Sequence, residues 1–140
     1  MFIKQLSIFV ENKFGRLEAI VDALSKANIN LRALSLAEAE NYGVLRVIVD
    51  DADTAKKVLN DVGVIAKVTD VVAVYLDDRS GGLASVLAVL KNAEISIEYM
   101  YAFLGRKEGK ALMVLKADDE TKTEKVLSEN NIPMVSQEEI

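Results

Sequence analysis

The sequence predicts an α+β fold in which one unit of order β-α-β-β-α-β is written twice. Three observations predict it. A shift of 66 residues aligns the two halves without a gap from residue 5 to about residue 50. Segments of period-two apolar alternation and segments of helical spacing follow one another in the same order in both halves. A glycine stands between the first strand and the first helix of each half, in "ENKFGRLEAI" (11–20) and "DDRSGGLASV" (77–86).

The repeat keeps glycines and apolar phase together. Gly15 falls on Gly81, Leu17 on Leu83, Leu24 on Leu90, Ala27 on Ala93, Ile29 on Ile95 and Gly43 on Gly109. After a small change of register, Lys57-Val58-Leu59 matches Lys125-Val126-Leu127.

The elements read in order as follows. "KQLSIFV" alternates, with Leu6, Ile8 and Val10 on one face of a strand. Leu17, Ile20, Val21 and Leu24 recur at i, i+3, i+4 and i+7, one face of a helix. "NINLRALSLAEA" (28–39) is a second strand, "NYG" a turn and "VLRVIVD" a third strand. Ala55, Val58, Leu59 and Val62 line a second helix, and "VIAKV" opens a fourth strand. The second half repeats the series with "VVAVYL", a helix through Leu83, Val86, Leu87 and Leu90, then "ISIEYMYAFL", "KALMVLKA", a helix near 120–130 and "IPMVS".

This order makes each unit a ferredoxin-like sandwich, a four-stranded antiparallel sheet with two helices on one face. The expected units are residues 1–70 and 71–140, with only Thr69-Asp70 marking a break in "VIAKVTDVVAVYL". No Gly/Pro/Ser linker separates them, so they are expected to pack against each other rather than as separate beads. A unit of about 70 residues has a thin core. Pairing with its twin, and of the whole chain as a homodimer, would cover more of it.

Composition narrows the chemistry. The 140 residues contain no cysteine and no histidine. That removes disulfides, thiolate chemistry, zinc sites built on those residues and His-activated nucleophiles. The formal charge is −5 without a basic cluster, which weighs against nucleic acid. No apolar run of spanning length occurs. "MFIKQLSIFV" alternates and lacks a small-residue cleavage site, so it reads as a strand rather than a signal. Cytoplasm is the default location, and no cofactor is indicated.

At "NKFGRL" and "DRSGGL" a strand ends and a helix starts within a few residues. The first amides of a helix have no partner within it. With the helix dipole they favour an anion such as an α-carboxylate. Asn12, or Asp78 in the second copy, would then accept from a ligand's ammonium. The alternative is a turn glycine with no ligand.

At these residues the chain resembles the ACT domain, a small amino-acid-binding regulatory module. The resemblance rests on the doubled βαββαβ order, "ENKFGRL" followed by "LSKANINL", and "DDRSGGL" followed by "LKNAEISIEYMY". It covers essentially the whole chain as two tandem modules without an appended enzyme. It implies side-by-side modules with a free amino acid at their interface, held by the first loop and the start of the second strand. The implied ligand residues are Asn12, Phe14, Gly15, Arg16, Leu17, Asn30 and Leu31 in the first unit. In the second they are Asp78, Ser80, Gly81, Gly82, Leu83, Ile97, Tyr99 and Tyr101. Two glycines and a hydroxyl suggest that the second loop is the more open to a ligand.

Tyr99, Tyr101 and Phe103 share one strand face, with Met100 on the other. They read either as a ligand wall or dimer face, or as core beneath a helix. Their first-unit counterparts Ala33, Ser35 and Ala37 are small. The acidic clusters "DDADT" and "ADDET" read as helix caps in preference to a Mg²⁺ site. "SQEEI" reads as a solvated end.

The function expected is a non-catalytic amino-acid sensor that signals to an enzyme or regulator of amino-acid metabolism. The alternative is an assembly subunit without a ligand. Acylphosphatases share the fold, but neither junction has their arginine-bearing loop. RNA-recognition modules stack bases on third-strand aromatics, which "VLRVIVD" and "ALMVLKA" lack.

Overall fold

The computed structural model describes residues 1–38, 40–105 and 107–140. The chain divides into two compact units, Lys4–Thr69 and Asp70–Ile140, with Met1–Ile3 belonging to the latter.

Strand β1 (Ile3–Glu11) leads to α1 (Arg16–Lys26), β2 (Leu31–Glu38), β3 (Tyr42–Val49), α2 (Ala52–Asp61) and β4 (Ala66–Asp77). Ala39, the last residue of the expected second strand, lies outside the described residues. In the first unit the strand order is β2-β3-β1, antiparallel throughout. The register sets Leu6 opposite Val47 and Ile8 opposite Leu45. Those side chains meet Ile20 and Leu24 of α1 and Ala55 and Leu59 of α2 in one core. Alternation sends Ser7 and Phe9 to the opposite sheet face. Where β4 approaches, the Phe9 amide donates to the Ile65 carbonyl at 3.3 Å.

In the second unit β4 is followed by α3 (Gly82–Asn92), β5 (Ile97–Ala102), β6 (Lys110–Ala117) and α4 (Glu120–Glu129). The order is β4-β6-β5. Val72, Val74, Leu76 and Leu115 meet Val86, Leu90 and Leu127 in a second core. Duplicated apolar phase has produced duplicated cores.

Four local expectations are corrected. β4 runs unbroken through Thr69-Asp70; neither residue forces a turn. "NYG" is not the turn, because β3 already begins at Tyr42. Gly43 is a buried strand residue whose Cβ would lie 3.2 Å from Leu36 Cδ1, while its repeat partner Gly109 sits in a turn at φ +70°. Val62 lies past the end of α2 and is 57% exposed. The tail is tied down: the Ser136 amide donates to Glu139 at 2.7 Å, and so does the Tyr75 hydroxyl, also at 2.7 Å.

"IPMVS" pairs with β4 only briefly. The Tyr75 amide donates to the Pro133 carbonyl at 2.9 Å and the Val135 amide to Ala73 at 2.8 Å. Pro133 has no amide to extend the ladder. The acidic clusters cap helices. Asp51 accepts from the Thr54 amide at 3.0 Å and from its hydroxyl at 2.6 Å, and Asp119 accepts from the Lys122 amide at 3.0 Å. The Thr54 hydroxyl foremost, with its amide, holds the Asp51 carboxyl below its ordinary range. No helix among the described residues is long and apolar enough to cross a membrane.

Candidate functional site

The two glycine junctions share one backbone design. In the first, the Lys13 amide donates to the Glu11 carbonyl at 2.7 Å and the Arg16 amide to the Lys13 carbonyl at 3.2 Å. In the second, the Arg79 amide donates to Asp77 at 2.9 Å and the Gly82 amide to Arg79 at 3.0 Å. Gly15 and Gly81 occupy the cap positions at φ 80° and 88°, where a Cβ is disfavoured. Neither cap is closed by a side chain. The loop carbonyl takes the first helical amide in each copy. The next two, at Leu17 and Glu18 or at Leu83 and Ala84, have no acceptor within the helix.

Charge distinguishes the copies. Glu11 meets Lys13 Nζ at 3.0 Å and the Arg16 guanidinium at 3.9 Å. Lys13 foremost holds the Glu11 carboxyl below its ordinary range. At the equivalent position Asp77 meets Lys110 at 2.6 Å and Arg79 at 3.5 Å, and Lys110 foremost lowers its pKa. Exposed pairs of this kind contribute little to stability. Each junction presents one carboxylate beside two cations. The second adds Asp78 within its loop; the first instead has Glu18, in the first turn of α1.

Space distinguishes them further. Beside α1 lies a cleft of about 600 Å³, floored by Val10, Ile20, Ala23, Val58 and Val64. Its counterpart beside α3 measures about 260 Å³ and includes Lys110, Asn131 and Pro133. The greater openness expected of the second loop is corrected by Gly82. That residue is buried, and a Cβ there would lie 2.0 Å from the Asp77 carbonyl oxygen. Its missing side chain makes room for the protein's own backbone. Arg79 also lies over the loop, donating to the Ser80 carbonyl at 3.2 Å.

The expected site residues separate into groups. Asn12 and Leu17 line a cleft of about 510 Å³ with Leu36 and Gly43. Arg16 lines the larger cleft on the other side of the loop. Phe14 projects fully into solvent. Asn30 braces β2 to β3, donating its amide to Asp50 Oδ1 at 3.1 Å and accepting the Asp50 amide at 3.3 Å. Ser96 and Asp118 repeat that brace at 3.2 and 3.0 Å. Leu31 and Ile97 pack against their own cores beside matching register shifts. Of the second loop, Gly82 lines its cleft and Leu83 joins the core, while Asp78, Ser80 and Gly81 are exposed.

Tyr99 and Tyr101 stack with ring centroids 6.5 Å apart, opposite Lys116 and Val114. Met100 turns to the core beneath the helices. The reading of these tyrosines as core beneath a helix is therefore corrected; strand alternation puts them on the opposite face.

Sequence reasoning missed Phe9, Tyr42 and Ile65 at the rim of the larger cleft. The Phe9 and Tyr42 rings lie 5.6 Å apart. The signal was present in β1, where Phe9 is an aromatic in the phase of Gln5, Ser7 and Glu11 rather than that of Leu6, Ile8 and Val10.

Two βαββαβ units, each with a left-handed glycine ahead of its first helix, define a duplicated ferredoxin-like protein. Residues 1–140 match the family described as ACT domain pair, and the chain belongs to that family. Among solved structures it is similar to protein BT0572 from Bacteroides thetaiotaomicron, at 40% identity and a TM-score of 0.92, covering 99% of this chain and 95% of that one. It is also similar to the regulatory subunit of aspartate kinase from Thermus thermophilus, at 14% identity and TM-score 0.65, with 90% of each chain covered. The corresponding subunit from Thermus flavus gives 13% and 0.60, again covering 90% of each. These two likenesses show the fold alone. No curated protein matches the chain.

Proposed function

We propose that this chain is a non-catalytic sensor of a free amino acid, working in the cytoplasm and signalling to an enzyme or regulator of amino-acid metabolism. Family membership supports the ligand class. The observation that carries the reading is the first junction. There a carboxylate, two cations and the open start of α1 lie together, so both ends of a zwitterion find a complement. Gly15 lets the chain turn into α1 at that point. Arg16 is the residue we assign to the site first, with Asn12 and Leu17 on the other side of the same loop, ahead of those in the second loop. Binding shifts a partner only through differential affinity for two arrangements of the protein.

A thermal-shift screen against the twenty amino acids tests this. A ligand that binds only the folded chain raises its melting temperature, by a free energy of about 2.7 kcal/mol at one hundred times its Kd. A selective rise for one or a few amino acids is expected; no rise for any rejects the sensor.

The second reading is an assembly subunit, active as a homodimer without a ligand. The exposed apolar side chains of Phe9, Phe14, Leu36 and Ile65 favour it. A flat thermal screen, with dimers at micromolar concentration, would select it.

A further inference from the structure

We propose that the cleft beside α1 takes the side chain of an apolar amino acid, whose carboxylate pairs with Arg16 and whose ammonium pairs with Glu11. The inference rests on the sensor reading and deepens it, by naming the ligand class, the side of the junction and a stoichiometry of one per chain.

The charges at the mouth carry the first half of the argument. Glu11 is engaged mainly by Lys13 at 3.0 Å, while Arg16 stands 3.9 Å from it, beyond hydrogen-bond length. The planar fork of Arg16 is therefore well suited to a bidentate carboxylate. Glu11 has further acceptor positions for an ammonium. At the far end of the cleft Lys26 and Asp22 neutralise each other at 2.8 Å, so no lone charge there calls for a charged side chain.

The walls carry the second half. Between these charged ends the floor is aliphatic, and Ala19 and Ala23 leave room above it. An apolar side chain entering the cleft removes its own surface and that of the floor from water, at roughly 25 cal/mol per Å². The volume of about 600 Å³ lies within the usual range for small-molecule sites. The counterpart in the second unit also holds a carboxylate and cations, at Asp77, Arg79 and Lys110, but differs elsewhere. It is smaller, Gly82 replaces Arg16, and Ser85 and Asn131 replace Ala19 and Gly63.

Isothermal titration of the full chain tests the proposal, with leucine, isoleucine, methionine and phenylalanine set against aspartate, lysine, serine and glycine. At least one apolar ligand should bind at one per chain, and at least tenfold more tightly than any polar one. Arg16→Ala should weaken it at least tenfold. Ala19→Trp, which fills the cleft from an exposed position, should abolish it. Lys110→Ala at the second junction should leave it unchanged. Unliganded melting temperatures report whether the variants fold. Preference for a polar amino acid, or full binding by Arg16→Ala and Ala19→Trp, overturns the inference and leaves the sensor reading standing. Binding of none of the twenty overturns both.

Discussion

Gly82→Ala should be the most damaging alanine substitution at either glycine junction, costing about 3 kcal/mol or more. The added Cβ would lie 2.0 Å from the Asp77 carbonyl oxygen and 3.1 Å from its carbon. Neither can move cheaply, because Asp77 is the last residue of β4 and pairs with Lys110 of β6. Gly15 and Gly81 are different. Their surroundings are open: among the described residues nothing lies within 4 Å of a Cβ at Gly15, and for Gly81 only the Arg79 guanidinium does, at 3.9 Å. Their cost is the left-handed backbone, about 1–2 kcal/mol for alanine. Gly81→Val, with a β-branched side chain at φ 88°, would confuse strain with lost binding. Urea denaturation of the three alanine variants checks the order. A Gly82→Ala protein as stable as Gly15→Ala would contradict the close approach.

Leu59→Ala and Leu127→Ala should each cost about 2–5 kcal/mol. The two leucines occupy the same repeat position, two residues before the end of α2 and of α4, and both are fully buried. Each fills its own unit's core beneath the sheet, so truncation leaves a cavity that helix and sheet close only in part. Val62→Ala is the internal control. Although it continues the helical spacing from Leu59, Val62 is exposed, and its loss should change stability by less than about 0.5 kcal/mol. Denaturation midpoints for the three variants separate the outcomes. A mild Leu127→Ala would mean that the second core is not packed as described.

The fold was legible because duplication wrote the same periodicities twice. Leu6, Ile8 and Val10 were placed on the core face by alternation alone, and Ile20 and Leu24 by helical spacing. Where local rules misled, another interaction had settled the outcome. "NYG" carries turn residues, yet Tyr42 and Gly43 pair with Glu11 and Val10 of β1. "SQEEI" looks solvated, yet Glu139 reaches back to Ser136 and Tyr75. The candidate site was legible only in part. The loop motif names Asn12, Gly15 and Arg16. The cleft beside Arg16 is not legible there, because α1, β1 and residues 62–65, which line it, come together only in the folded chain. Gly82 was misread for the same reason: a missing Cβ does not say whether ligand or backbone fills the space.

Amide NMR titration with the best-binding amino acid locates the ligand directly, since every amide near the site reports. Saturable shifts are expected, centred on Glu11, Arg16, Leu17 and Glu18 and on residues 62–65, with Asp78–Leu83 unchanged. An absence of shifts, or shifts confined to Asp78–Leu83 and Tyr99–Tyr101, would contradict a site at Arg16.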